Sequence, residues 1–459
     1  MHVTKISIDR AALACFLIRL MTALIPMKRV RVRVRRRLLD RARDARTARL
    51  VPIVRARYAA HEQTCRDTLA RGGRLRVAFL VCDASMFSAE PVFQAMVDDA
   101  RFEPFIAVVP RVTRGEAFLR ETLAKTLETL APRYPGKVEA LYDPETKVRR
   151  SLAGRADIVF TSIVYSDQTF SDYTAWTLSN QALLCCITYG YSGLFASNVT
   201  RTIFLPEIAF MWRYFVSNPQ TLALWTERNP SLKETARLSG YAKMDRLAVV
   251  PRHVPRPKTV LIAPHHSLSR NGEHGGLTLS TFLIHADLFL QLPKDYPSVK
   301  FVFRPHPLLF PRLATDEWWG LAKTEAYRAA LKALPNVEFQ QGGDYFETFA
   351  NSDALIHDCG SFLAEYFYTG KPQCYLLADV ETENREFLPF GRRLLDLTYK
   401  AYTADDVRVF LDGVVLGGKD MKKKARDAVA VSDICCFYPH ASNQVVAEVM
   451  TSISGEHEA

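Results

Sequence analysis

Residues 354–372 read Ala354-Leu355-Ile356-His357-Asp358-Cys359-Gly360-Ser361-Phe362-Leu363-Ala364-Glu365-Tyr366-Phe367-Tyr368-Thr369-Gly370-Lys371-Pro372. The apolar run Ala354–Ile356 predicts a buried strand that delivers His357 and Asp358 to its end. Gly360 permits a tight turn, and Ser361 is placed to cap a following helix. Strand, small-residue turn and helix start together make an anion site, because free N–H groups and the helix dipole point at one spot. The anion inferred is the phosphate of a nucleotide-linked donor.

The same rhythm extends outward. Leu75–Val81, Phe105–Val109, Ile158–Thr161 and Leu183–Thr188 read as buried strands, separated by helical patterns at Pro91–Asp99 and Arg114–Leu130. Three prolines, Pro251, Pro255 and Pro257, mark a linker. Thr259–Ala263, Val299–Arg304, Val337–Phe339, Ala354–Ile356 and Gln373–Leu377 then form a second set. Thr281–Leu292 reads as a helix between its first two strands, with Ser280 as cap. Strands alternating with helices imply parallel sheets with right-handed crossovers. The fold class expected is α/β, with two doubly wound, Rossmann-like domains facing a cleft. The expected division is a basic extension at 1–70, an acceptor-side domain at 71–250, a donor domain at 251–415 and a helical tail at 416–459.

At 459 residues the chain is long enough for this arrangement. Its nine cysteines include no Cys-x-x-Cys, so neither a zinc ribbon nor a redox motif is supported, and a reducing cytoplasm is expected. The net charge of +11 is local. Eleven basic residues lie between Lys28 and Arg49 against only Asp40 and Asp44. The bulk of the chain is therefore not a basic nucleic-acid binder. The apolar stretch Ala11–Ile25 precedes the cluster and is too short to span a bilayer. An interfacial helix beside a polybasic patch gives two weak anchors on anionic lipid through residues 11–49. A basic helix docked on the protein's own body is the alternative.

Seven of the eleven histidines fall between residues 253 and 357. His265-His266, His306 and His357 stand at three consecutive strand ends, and Arg304 shares one with His306. Arginine offers a permanent forked donor for phosphate oxygens, and a histidine beside it can donate to a phosphate or leaving group. Each also has a plain reading: His306 as a turn cap between two prolines, His265 or His266 as a locally bonded turn histidine. His274 sits in a Gly/Asn-rich loop that either closes over a ligand or is simply exposed, and His285 reads as structural. No His-Glu-x-x-His frame occurs, and no metal is expected. Glu365 either reaches a ribose or base or is solvated. In the first half, Tyr189-Gly190-Tyr191-Ser192 follows a strand, as an acceptor-side loop or an ordinary connection.

These residues resemble the CDP-glycerol glycerophosphotransferases, which build teichoic acids and related capsular polymers. Their Leu-Ile-Thr-Asp-Tyr-Ser-Ser motif is met by Leu355-Ile356-His357-Asp358-Cys359-Gly360-Ser361, with Glu365-Tyr366 and Lys371-Pro372 after it. Their basic-Pro-His-Pro motif is met by Arg304-Pro305-His306-Pro307, and their Ala-Pro-Thr strand end loosely by Ala263-Pro264-His265. The match runs from about residue 259 to 378 and is closest to a branch found in bacterial capsule clusters. It implies a two-domain GT-B architecture and a CDP-activated donor near Arg304, His306, Asp358 and Ser361. It also implies peripheral attachment to the inner face of the plasma membrane. Transfer of glycerol phosphate to a hydroxyl of a glycan or lipid-linked acceptor would then release CMP. The family's His-Gly pair in the first domain is replaced by Tyr189-Gly190. This leaves His265, His266 and Tyr189 as alternatives for the base. Sugar transfer from a UDP-, GDP- or CMP-linked donor is the second reading, and a non-catalytic glycan-assembly subunit the third.

Overall fold

The computed structural model describes residues 10–23, 27–197, 203–253, 256–269 and 278–455. His274 lies outside them.

Two all-parallel sheets organise the chain. The first contains β1 (Leu75–Val81), β2 (Phe102–Val108), β3 (Val138–Ala140), β4 (Ile158–Thr161), β5 (Leu183–Ile187), β6 (Arg213–Val216) and β7 (Ala236–Leu238), in the order β3-β2-β1-β4-β5-β6-β7. The second contains β8 (Thr259–Ala263), β9 (Lys300–Phe303), β10 (Val337–Phe339), β11 (Ala354–His357), β12 (Gln373–Leu376) and β13 (Tyr399–Ala401), in the order β10-β9-β8-β11-β12-β13. Each is doubly wound, reversing direction between its first strand and the fourth. The central strands are continuous apolar runs because helices cover both sheet faces. β1, β5, β8 and β11 are buried at nearly every residue.

The N-terminal region is helical, with helices at Arg10–Ala23 and Lys28–Ala70. The far half of the second helix is built into the first domain. Val54, Tyr58 and Cys65 are buried in its core, and Trp212 Nε1 donates to Glu62 Oε1 at 2.6 Å. The near half carries the arginine cluster. The first helix folds back on it, with Arg35 Nε donating to Thr22 Oγ1 at 2.8 Å. Phe16, Leu20 and Met21 remain more than half exposed there. No described helix is long and apolar enough to cross a membrane.

The last helix, Ala441–Ser454, returns to the first domain. Val445, Val449 and Ile453 join that domain's core, Asp245 accepts from the Ser442 amide at 2.7 Å at the helix start, and Arg237 pairs with Glu448 at 2.8 Å.

The two domains touch through the segment after β5. Tyr191, Leu194 and Phe195 share a core cluster with Leu363, Ala364 and Phe387. Leu388 donates its amide to the Leu194 carbonyl at 2.8 Å. Tyr191 and Ser192 are therefore domain-packing residues, 3% and 7% exposed, rather than an open acceptor loop. Tyr189 and Gly190 stay at the cleft, Tyr189 with 42% of its surface exposed.

Candidate functional site

Asp358 leaves β11 at the switch point, where β8 and β11 are neighbours. It is fully buried. One oxygen accepts from the His265 amide, and the other from the Thr281 amide at 2.5 Å and the Thr281 hydroxyl at 3.0 Å. Asp358 thus caps the helix Phe282–Asp295 from a distant strand and fixes the turn after β8. The expected cap, Ser280, makes only a loose bond to the Phe282 amide at 3.3 Å. Burial pushes the Asp358 carboxyl up to about 6 against the hydrogen bonds from Thr281, His265 and its own backbone, which lower it. Its oxygens are engaged with protein donors, so it positions the site and does not meet the donor.

His357 is also placed beneath the site. It has no exposed surface, and its ring joins Gln373 Oε1 at 2.9 Å and the Cys359 carbonyl at 3.2 Å. Burial holds it down to about 3, so it is neutral. The helix after the motif is one turn, Phe362–Glu365, continued as a 3-10 turn to Thr369. Ser361 itself has helical dihedrals and makes no cap bond. The expected cap by Ser361 is therefore not made, and the helix that follows is a single turn. Gly360 matters through close approach rather than turn geometry: a Cβ there would sit 3.1 Å from Phe195 Cε2. A Cβ on Gly190 would sit 2.9 Å from Ser361 Oγ. The loop after β5 and the loop after β11 meet at this pair.

Glu365 is neither solvated nor open. It is fully buried and accepts from Tyr345 OH at 2.6 Å and Tyr241 OH at 3.2 Å, with Lys243 Nζ at 3.5 Å. The ammonium lies 5.0 Å from the ring centroids of both Tyr189 and Tyr345. Sequence reading missed Lys243, because nothing separates one lysine near a linker from surface lysines. Burial, then the charges of Glu365 and other acids, push the Tyr189 phenol up to about 12, so it keeps its proton at neutral pH. It suits hydrogen-bond donation better than base catalysis. Arg304 is buried and donates to Gln340 Oε1 at 2.9 Å and to the Gly343 carbonyl. It anchors the loop before Tyr345 through these two bonds.

The structure brings His265, His266 and His306 together at the ends of β8 and β9. Their ring centroids are 4.4, 5.3 and 3.9 Å apart, His266 lying stacked on His306. Ring nitrogens of all three lie within 4.8 Å of one another, which by spacing alone would suit a metal ion. The protons argue otherwise. The Leu308 amide donates to His306 Nδ1 at 3.1 Å, and the Ser267 amide to His265 Nδ1 at 3.3 Å. Both Nδ1 atoms are acceptors, so each neutral ring carries its proton on Nε2 and presents a donor there. Arg312 donates to the His266 carbonyl at 3.0 Å. Burial first, then the charges of Arg312 and Arg114, hold His266 down to about 4. Burial and His266 hold His306 to about 3. Arg114 comes from the first domain and stacks on Phe118, 5.1 Å from its ring centroid. This corner of imidazole donors and two arginines fits an anion.

No protein-family profile and no curated protein sequence matches this chain. Solved structures do. A putative UDP-N-acetylglucosamine 2-epimerase from Listeria monocytogenes superposes with a TM-score of 0.53 at 12% identity, over 84% of this chain and 98% of its own. A variant of the wall teichoic acid polymerase TagF gives 0.53 at 13% identity, over 91% of this chain and 98% of its own. The UDP-GlcNAc 2-epimerase from Neisseria meningitidis bound to UDP-GlcNAc gives 0.50 at 14% identity, over 82% and 100%. The fold is GT-B-like. In GT-B terms, the histidine corner, Ser361 and Gly190 all stand at the domain junction, outside the carboxyl ends of the strands.

Proposed function

We propose that the protein transfers glycerol phosphate from CDP-glycerol to a hydroxyl of a cell-surface glycan or lipid-linked acceptor. The observation that carries this reading is the histidine corner at the ends of β8 and β9, where stacked neutral imidazoles and Arg312 offer donors that suit phosphate oxygens. The motif resemblance around Arg304-Pro305-His306-Pro307 and Leu355–Ser361 supports CDP-glycerol as the donor.

The acceptor oxygen would attack the β-phosphorus. The bond from that phosphorus to the bridging oxygen breaks, CMP leaves with the electron pair, and the acceptor proton passes to a base in the cleft. His265 and His306 would present Nε2–H donors to the phosphates, where fixed dipoles stabilise the charge that develops. The Tyr189 hydroxyl at the cleft mouth would orient the acceptor.

Exposed Phe16, Leu20 and Met21 beside the arginine cluster support attachment to an anionic membrane surface. Removing residues 1–48 is expected to abolish sedimentation with phosphatidylglycerol liposomes.

The decisive experiment is a nucleotide-release screen with CDP-glycerol, UDP-, GDP- and CMP-sugars over membrane extracts. CMP released from CDP-glycerol supports the proposal. UDP or GDP release transfers the same site to a glycosyltransferase, a reading favoured by the fold it shares with the sugar-nucleotide epimerases.

A further inference from the structure

We infer that His266 is a proton-coupled latch for the bound diphosphate: an anion entering the corner draws one proton onto this ring and not onto its two neighbours. The inference rests on the donor reading only in supposing that the anion is a diphosphate.

The three rings differ in what their second nitrogen can do. Nδ1 of His306 receives the Leu308 amide, and Nδ1 of His265 receives the Ser267 amide and meets the Ser267 hydroxyl at 2.8 Å. A proton on either atom would point at a backbone N–H and expel it. Ser267 cannot turn away freely, because its oxygen also accepts the Leu279 amide at 2.9 Å. These two rings are locked as neutral donors. His266 is not. Its Nδ1 is buried and has no hydrogen-bond partner among the described residues. An unpartnered buried nitrogen costs free energy, and no backbone N–H opposes a second proton on this ring as one does on its neighbours.

The charges around it explain why the proton waits for the ligand. Arg312 faces His266 from its own domain and Arg114 from the first, and both oppose a third positive charge. The stacked His306 ring is neutral, and Asp358 spends its oxygens on the His265 amide and on Thr281. A bound diphosphate reverses the sign of this local field, and the ring then gains a proton.

The test is calorimetric titration of inorganic pyrophosphate into the full-length protein at pH 7, in buffers of different ionisation enthalpy. The ligand's own titration is common to all proteins and cancels between them. The wild type is expected to take up about one proton more than His266→Gln, with affinity falling up to about tenfold per pH unit between the pKa of the free ring, about 4, and that of the bound form, and levelling off above the latter. His306→Gln is expected to weaken binding while keeping the extra proton. Equal uptake in wild type and His266→Gln overturns the inference. So does stoichiometric Zn²⁺ binding that needs His266 and leaves pyrophosphate affinity unchanged on its substitution. Pyrophosphate lacks both base and glycerol, so a failed nucleotide screen with intact proton uptake rejects the donor assignment alone.

Discussion

The carboxylate of Asp358, at the end of β11, lies 2.5 Å from the amide of Thr281, which begins a helix 77 residues earlier in the chain. Both oxygens accept, and each serves a different loop. Asparagine offers only one acceptor and would turn an N–H₂ against an N–H. Asp358→Asn is therefore expected to cost about 1–3 kcal/mol, nearly as much as Asp358→Ala. Denaturant melts check this, and a neutral Asn variant would show that the clamp is not structural. The folded carboxyl titrates near 6, above its unfolded value, so its contribution is full below about pH 4 and is lost as pH rises through 6.

His357 has the opposite sign. Its pKa is held near 3, below the unfolded value of about 6.5, so its contribution is present above 6.5 and lost as pH falls toward 3. Between those limits the slope is about 1.4 kcal/mol per pH unit. His357→Asn is expected to lower stability at pH 7 and to flatten that acid slope. Urea melts at pH 7, 5.5 and 4.5 measure both, and an unchanged slope would exclude His357 as its source.

Lys243 is the only cation recorded against the buried Glu365 among the described residues. Removing it leaves the carboxylate with two tyrosine donors and no counter-charge. Lys243→Met is expected to destabilise by about 3–5 kcal/mol, and Lys243→Met with Glu365→Gln to recover part of that loss. A double-mutant cycle by thermal melting reads the coupling; additive effects would refute it.

Gly190 and Gly360 are contact glycines. Gly360→Ala is expected to cost about 1–3 kcal/mol by pressing on the Phe195 ring, and Phe195→Leu in the same protein to relieve it. Gly190→Ala pushes against the Ser361 hydroxyl and is expected to cut turnover more than stability. Rates from the nucleotide-release assay set beside melting temperatures separate the two, and full activity in Gly190→Ala would place the junction outside the active centre.

The sheets were legible where their strands are buried on both faces. Leu75–Val81, Ile158–Thr161 and Thr259–Ala263 have the bounds that their apolar runs suggest. Four strands escaped. β3, β7 and β13 are three-residue sheet edges, each partly exposed, and β6 opens with Arg213. Edge strands carry little periodic signal because one side has no neighbour to bury against.

The sequence by itself determined that there are two wound sheets and that polar, titratable residues stand at the ends of consecutive strands, because strand burial and strand length are local properties. It could not determine which way those residues turn. Asp358 and His357 turn inward because Thr281, His265 and Gln373 supply partners there, while His266 keeps an open nitrogen because no described residue does. Those partners lie as far as 93 residues away, and only the packing of one strand end on another decides who meets whom.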